Sequence, residues 1–312
     1  MKMSGDLRLK RMSVSKRNTI RGMLFALPWL IGFLCFQLYP ILCALYYSLT
    51  NFSVFGKPEF IGLENYKTLV SDPKVLQSLG NTLYMVVFGL PIGLLMALLA
   101  AMMLNRNRHG KAFFRAAFYI PTVIPLVAAC MLFLWLLNPE YGLIGYVFDL
   151  FGLTSPSWIS DPKYTKAALI LLDTWRCGQS AIIFLAALQA IPVSYYEAAD
   201  IDGATRWQKF WKITLPSIAP TVEFLLIMGI IQSFQYFTQG FVFASYSSEQ
   251  FTVTGGPKNS LLFFGLYLYQ NAFSYIKMGY ASALAILMFI IVAVVTIVAF
   301  RTIEKRINYE SD

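Results

Sequence analysis

Histidine and cysteine are scarce in this sequence, which limits the chemistry that its side chains can perform. The 312 residues include one histidine, His109, and four cysteines. Each cysteine lies within an apolar run and none is spaced for pairing, so we expect neither disulfides nor a zinc site. His109 lies in a short basic loop and is expected to be a solvated loop residue. The sequence therefore predicts no catalytic residues and no metal ligands.

Charged residues are also scarce, at 13% of the chain, whereas hydrophobic residues account for 57%. A typical soluble domain has about 25% charged residues, so this composition argues against a soluble globule and favours a polytopic membrane protein. The net charge of +9 does not indicate nucleic-acid binding, because no soluble face combines basic residues with exposed aromatic ones. We therefore expect a lipid bilayer, and no nucleic acid, as a partner of this chain.

A nucleotide-binding P-loop is missing as well, since the pattern GxxxxGK[ST] does not occur. Without that glycine-rich loop the chain has no P-loop to hold the phosphates of ATP. If the protein performs ATP-driven work, we expect the ATP and its magnesium ion to bind to a separate polypeptide.

Six apolar segments reach the ~20 residues that a transmembrane helix needs. They are 23–49, 82–104, 118–137, 166–189, 221–244 and 278–300. The predicted fold class is all-α, with a transmembrane domain over 23–300, a basic lead at 1–22 and a tail at 301–312. The apolar run 261–273 is too short to span, so it is predicted to lie along the outer surface or dip into it. The run 245–253 has no assigned role.

Basic residues are distributed unevenly over the loops between these segments. If the N-terminus is cytoplasmic, the cytoplasmic regions carry seventeen Lys and Arg residues and the outer loops carry seven. This asymmetry follows the positive-inside rule. It predicts that the N-terminus and the C-terminus are both cytoplasmic.

A long polar run, 194–216, separates the fourth and fifth apolar segments. Ser194 and Glu197 have the spacing of a capping box, which predicts that a helix begins there. Gly203 is expected to end that helix, because glycine adopts positive φ at little cost. A second helix is indicated by apolar residues at helical spacing, namely Trp207, Phe210, Trp211 and Thr214. The run therefore predicts an amphipathic helix–glycine–helix element at a membrane surface.

This element resembles the EAA signature of permease subunits of binding-protein-dependent ABC importers. The resemblance rests on Glu197-Ala198-Ala199, Gly203, Ile213 and Leu215-Pro216. The strings Asp200 to Ala204 and FIGLENY at 60–66 are similar to the carbohydrate-uptake branch of that family. That branch includes the permeases for maltose, multiple sugars and glycerol-3-phosphate.

The resemblance implies a function and a set of partners. It implies the type I permease fold with a cytoplasmic coupling helix, in a bacterial-type inner membrane, and no cofactor on this chain. The implied partners are a second homologous permease, two copies of an ABC ATPase that binds ATP and magnesium, an extracytoplasmic sugar-binding protein, and a sugar, expected to be an oligosaccharide. The implied ATPase-docking residues are Glu197, Ala198, Ala199, Asp200, Gly203 and Arg206.

Polar residues inside the fourth and fifth segments are candidates for a substrate pathway, because such residues are costly within a membrane. Asp173 and Arg176 are one helical turn apart and could form an ion pair. The candidate set is Asp173, Arg176, Gln179, Gln232, Phe234, Gln235, Tyr236 and Gln239. These residues could line a sugar cavity, or they could only form hydrogen bonds between helices.

An ion-coupled secondary transporter is the alternative function, with Asp173 and Arg176 as its coupling charges. That class has no use for an amphipathic cytoplasmic element. It commonly contains an internal repeat, and none is found in this sequence.

Overall fold

The computed structural model of the protein describes residues 14–106, 109–246 and 254–307. Most of the predicted lead at 1–22, most of the 245–253 run and the end of the 301–312 tail lie outside these residues. The described chain contains helices and no strand, with one isolated bridge between Thr50 and Phe60. The all-α prediction is confirmed for this part of the chain.

Three continuous helices are long and apolar enough to cross a membrane. They are Gly22–Ser48, Pro73–Asn105 and Met278–Arg301, the last being part of a longer helix, Met278–Ile307. Three bent pairs meet the same criteria when each pair is taken together: Lys111–Val123 with Leu126–Leu136, Thr165–Trp175 with Gly178–Ala190, and Arg206–Ser217 with Ala219–Phe234. The described residues thus provide up to six spans by length and composition.

The predicted spans at 118–137, 166–189 and 221–244 are each broken and do not form single continuous helices. The first bends by 98° at Ile124 and Pro125. A residue that precedes a proline avoids helical backbone dihedrals, and Ile124 accordingly has an extended backbone (ψ 128°). The second bends by 47° after Trp175. The third ends at Phe234, and a separate helix follows over Thr238–Tyr246.

Shorter helices complete the described chain. They are Glu64–Ser71, Leu143–Leu150, Val193–Ile201 and Phe264–Tyr269. The first span begins with Val14–Phe33 and continues as Tyr39–Ser48.

Widened helical turns accompany three of the prolines. Pro40, Pro91 and Pro216 each follow a π-helical turn by two residues. A proline ring clashes with the carbonyl four residues earlier in a regular helix, and in all three cases that carbonyl belongs to the π-helical turn. We infer that the wider turn moves the carbonyl away from the ring, so these helices continue through their prolines.

Small residues bring the second and fourth spans together. Ala97, Ala101 and Ala181 are completely buried where Leu90–Asn105 packs against Gly178–Ala190. Small side chains allow the close helix approach that drives association within a membrane. The contact fixes the two walls between which the polar residues described below are placed.

An irregular segment, 255–263, which contains one 3₁₀ turn over Pro257–Asn259, lies inside the protein. Leu261, Leu262 and Phe263 are at most 1% exposed. The side-chain amide of Asn81 donates hydrogen bonds to two carbonyls of this segment, those of Asn259 (2.8 Å) and Leu262 (2.9 Å). Irregular backbone is tolerated at membrane depth only where protein satisfies its polar groups. The start of the predicted 261–273 run therefore dips into the core, and a location along the surface is wrong for it.

Asp72 connects three distant segments just outside the second span. Its carboxylate accepts hydrogen bonds from the hydroxyls of Tyr267 and Tyr280, the latter at 2.8 Å. Partial burial raises the pKa of Asp72, but these two hydrogen bonds and one from the Lys74 N–H outweigh it, so its pKa lies below the usual value. The ionised carboxylate thus holds the helix Phe264–Tyr269 and the last span together.

Candidate functional site

A polar groove of about 250 Å³ lies where the second, fourth and fifth spans meet. Leu90 packs against Gly229 there, and a Cβ added to Gly229 would lie 2.2 Å from Leu90 Cδ1. The polar side chains that line the groove are Asp173, Arg176, Gln179, Ser180, Gln232, Ser233, Tyr236 and Gln239. The remaining wall is formed by Leu90, Gly93, Leu94, Cys177 and Gly229.

Six of the eight predicted pathway residues line this groove, and Phe234 and Gln235 do not. Phe234 is buried at 1% exposure, and Gln235 is exposed. The helix ends at Phe234, and of the residues just beyond this end Tyr236 reaches Asp173 in the groove whereas Gln235 does not line it. The structure therefore places these two residues outside the groove, and their role in a substrate pathway stays a prediction.

Two serines of the groove were missed by the sequence prediction. Ser233 directly follows Gln232 in the chain, and Ser180 directly follows Gln179. Their position next to predicted residues could have identified them as groove residues. The wall from the second span consists of Leu90, Gly93 and Leu94, and apolar or small residues in an apolar helix give no such signal.

Asp173 is held within the groove by neutral donors. The Tyr236 hydroxyl donates a hydrogen bond to its carboxylate at 2.9 Å, and the Gln239 side chain adds another. Because Tyr236 lies beyond the end of the helix Ala219–Phe234, this contact fixes the position of the break in the fifth span relative to the fourth.

Arg176 does not pair with Asp173, so the predicted ion pair is wrong. Its guanidinium donates to backbone carbonyls at the end of the helix that precedes the 98° bend, those of Pro121 (3.2 Å), Thr122 (3.4 Å) and Ile124 (2.7 Å). The helix Thr165–Trp175 ends one residue earlier, which takes Arg176 off the helical face of Asp173. Arg176 therefore satisfies carbonyls that the broken helix leaves without partners.

The predicted helix–glycine–helix is present as the surface pair, which we define as the helices Val193–Ile201 and Arg206–Ser217. Gly203 joins them with φ +71°. The N–H of Gly203 bonds to the Asp200 carbonyl, and the N–H of Ala204 bonds to the Ala199 carbonyl. This is the Schellman arrangement that ends a helix with a residue in the left-handed conformation.

The predicted capping box at Ser194 and Glu197 is wrong. The first helix begins at Val193 directly after Pro192, so Ser194 lies inside the first turn and makes no capping hydrogen bond. The capping box of the surface pair is formed one helix later, by Thr205 and Gln208.

The predicted docking residues differ in their surroundings. Glu197, Ala198 and Arg206 are exposed and Ala199 is half-buried. The carboxylate of Asp200 forms an ion pair with Lys209 of the second helix, the one ion pair among the described residues.

Beside Gly203 the surface pair encloses a concavity of about 380 Å³. Its lining comprises Ala199, Asp202, Gly203, Ala204, Gln208, Lys209, Lys212 and Ile213.

A family model places the chain among known proteins. The model for the inner membrane component of binding-protein-dependent transport systems matches residues 89–309. This chain belongs to that family. The permease is 38% identical, over 98% of its length and 97% of the relative's, to the probable ABC transporter permease protein YesP of Bacillus subtilis. It is 34% identical to the sulfoquinovosyl glycerol transport system permease protein SmoG of Agrobacterium fabrum, over 86% and 85% of the two chains.

A solved structure shares the fold of the permease. A chain of the bacterial alginate ABC transporter, crystallised with an alginate pentasaccharide-bound periplasmic protein, matches with a TM-score of 0.78. The identity is 24%, and the match covers 94% of the permease and 98% of that chain. The type I permease fold predicted from the sequence is thereby confirmed.

Family membership also decides the class of protein. The permease is a multi-pass inner-membrane transport component and not an enzyme. Within the described residues, no group of three or more His, Cys, Asp or Glu residues could hold a metal ion. None of the comparisons supports an ion-coupled secondary transporter.

Proposed function

We propose that this permease is one of two membrane subunits of an ATP-driven importer that moves a sugar, most simply an oligosaccharide, into the cytoplasm. An extracytoplasmic binding protein delivers the sugar, and two copies of a separate ATPase bind ATP and magnesium. The observation that carries this proposal is the polar groove, which offers amide and hydroxyl groups inside the membrane domain. The names of SmoG and the alginate transporter, which refer to sugar-containing substrates, support it.

The size of the groove supports a shared site. Ligand pockets usually measure about 300–1,000 Å³, and the groove of about 250 Å³ falls below that range. A second permease facing the groove would supply the remaining wall.

The groove also favours a neutral sugar. Arg176 is its one cationic lining residue, and its guanidinium is committed to three carbonyls. Asp173 adds a carboxylate to the same wall. An anionic sugar would meet this carboxylate without a free cation to balance it, so we expect a neutral oligosaccharide to be taken up in preference to its uronate analogue.

Replacing Gln232 or Gln239 by alanine is expected to weaken apparent substrate affinity about five- to a hundred-fold. Each substitution would leave a polar group of the sugar without its partner in the site closed by the second permease, which costs ~1–3 kcal/mol. The measurement is uptake of two sugars into proteoliposomes, together with the affinity of the isolated binding protein, which should not change.

Gln235→Ala is the matched control, because Gln235 has the same side chain but lies outside the groove. It should leave uptake unchanged. A loss for Gln232→Ala that is equal for both sugars and follows a lowered melting temperature would mean that the residue only joins helices.

The surface pair is proposed to dock on the ATPase from the cytoplasmic side. Glu197, Ala198, Ala199, Asp200, Gly203 and Arg206 would form the contact. The pair leads directly into the fifth span through Ile218, which is completely buried at a 63° bend. That span carries Gln232 and Ser233, so a rigid-body movement of the surface pair would reach the groove along one continuous segment.

The proposed orientation places both termini in the cytoplasm and predicts the outcome of a reporter experiment. A reporter that is active only in the cytoplasm should be active when fused after Ser217 and inactive when fused after Ser160. The basis is the excess of Lys and Arg on the side assigned to the cytoplasm. Activity at Ser160 with none at Ser217 would invert the topology and remove the surface pair from the ATPase side.

A further inference from the structure

A second groove lies between the helices Leu90–Asn105 and Lys111–Val123 and meets the polar groove at Cys177. We call it the apolar groove, and its volume is about 580 Å³. Most of its lining is hydrophobic and includes Met96, Leu99, Met103, Phe118 and Trp175. The set of hydroxyl and amide groups that would suit a sugar is not found there. The groove therefore suits a flexible hydrocarbon chain.

The groove continues into a smaller cavity of about 90 Å³ at the turn between the two helices. Met103 and Phe118 line both cavities, so the two are contiguous. Met96 and Arg106 mark the two ends along the first helix, about 15 Å apart at 1.5 Å per residue. This length is half of the ~30 Å hydrocarbon core of a bilayer, so the groove has the depth of a single leaflet.

The open end of the groove is positively charged. Arg106 and Lys111 line the smaller cavity, and neither forms an ion pair within the described chain. The N-terminus of the helix Lys111–Val123, which has no side-chain cap, adds free backbone N–H groups. An anionic group at this end would complement all of these donors.

We propose that the apolar groove is a binding site for one anionic phospholipid. An acyl chain would occupy the groove, and the phosphate would lie between Arg106 and Lys111. By the proposed topology this is the cytoplasmic leaflet, where basic pockets between spans bind anionic head groups. The lipid would fill the gap beside the helix Lys111–Val123, whose other end is held by Arg176.

Trp175 provides a direct probe, because it lines the groove. The assembled transporter would be placed in nanodiscs with increasing fractions of phosphatidylglycerol or phosphatidylcholine that carry brominated acyl chains, which quench tryptophan fluorescence. The contribution of Trp175 is the difference between the parent protein and Trp175→Phe. We expect phosphatidylglycerol to quench Trp175 at a roughly thirty-fold lower fraction than phosphatidylcholine, since each basic residue contributes about five-fold.

A charge variant tests the head-group contacts. Arg106→Gln combined with Lys111→Gln should abolish the difference between the two lipids. Lys57→Gln combined with Lys67→Gln, an equal loss of charge at exposed positions away from the groove, should retain it. Equal quenching of Trp175 by both lipids in the parent protein would overturn the anionic head-group site. Absence of quenching by either lipid would mean that protein, such as the second permease, covers the groove, and would overturn the proposal entirely.

Discussion

Replacing Gly203 by proline is expected to reduce transport at least about a hundred-fold while leaving the permease inserted in the membrane. Proline fixes φ near −65° and has no N–H, whereas Gly203 has φ +71° and donates to the Asp200 carbonyl. A cost of ~3 kcal/mol or more for the turn corresponds to that factor. The measurement is substrate-stimulated ATP hydrolysis and uptake by the reconstituted complex.

Gly203→Asn is the matched control. Asparagine adopts the left-handed conformation more readily than other side chains, and nothing lies within 4 Å of a Cβ added at Gly203. This variant should retain most of the transport activity. Normal substrate-stimulated ATP hydrolysis by the proline variant would show that the surface pair does not couple the two subunits.

Replacing Arg176 by leucine is expected to lower the melting temperature of the complex by roughly 10 °C. The substitution leaves three carbonyls at the 98° bend without their charged donor. Hydrogen bonds to charged groups contribute ~1.5–3 kcal/mol each. Three bonds at the low end of this range give a loss of ~4.5 kcal/mol, which corresponds to about that shift. Thermal melting of the detergent-purified complex measures the effect.

Two further variants define the role of Arg176. Arg176→Lys keeps the charge and can reach only part of the carbonyl set, so its melting temperature should be intermediate. Arg301→Leu makes the same change at an exposed position and should melt like the parent protein. If Arg176→Leu melts normally but fails to transport, Arg176 acts on the substrate and does not stabilise the bend.

The sequence predicted the surface pair well because its signals are local. The positive φ at Gly203 and the apolar spacing of Trp207 and Phe210 each depend on a few neighbouring residues. The helix start was misplaced because Pro192 begins the helix before Ser194 can cap it. Local signals therefore established the element, and one stronger local signal shifted its boundary.

The breaks in the spans were harder to predict, because they depend on distant partners. Pro125 lies at the 98° bend, and the carbonyls there are satisfied by Arg176, about fifty residues later. The ion pair between Asp173 and Arg176 was predicted wrongly for a related reason. Their helical spacing does not reveal that the helix ends between them and that Arg176 binds distant carbonyls. Gln235 was included in the prediction because the helix was expected to continue, whereas it ends at Phe234 and Gln235 does not line the polar groove.

The buried segment 255–263 has a consequence for how the chain is assembled during synthesis. Its backbone is satisfied by side chains made much earlier, including Asn81, whose contacts span about 180 residues of sequence. A nascent chain could not release this segment into lipid by itself, because its unpaired carbonyls would each cost several kcal/mol there. Biogenesis must therefore keep the second span in place until the segment arrives, and insertion of this part of the permease proceeds as the docking of a late segment onto an early one.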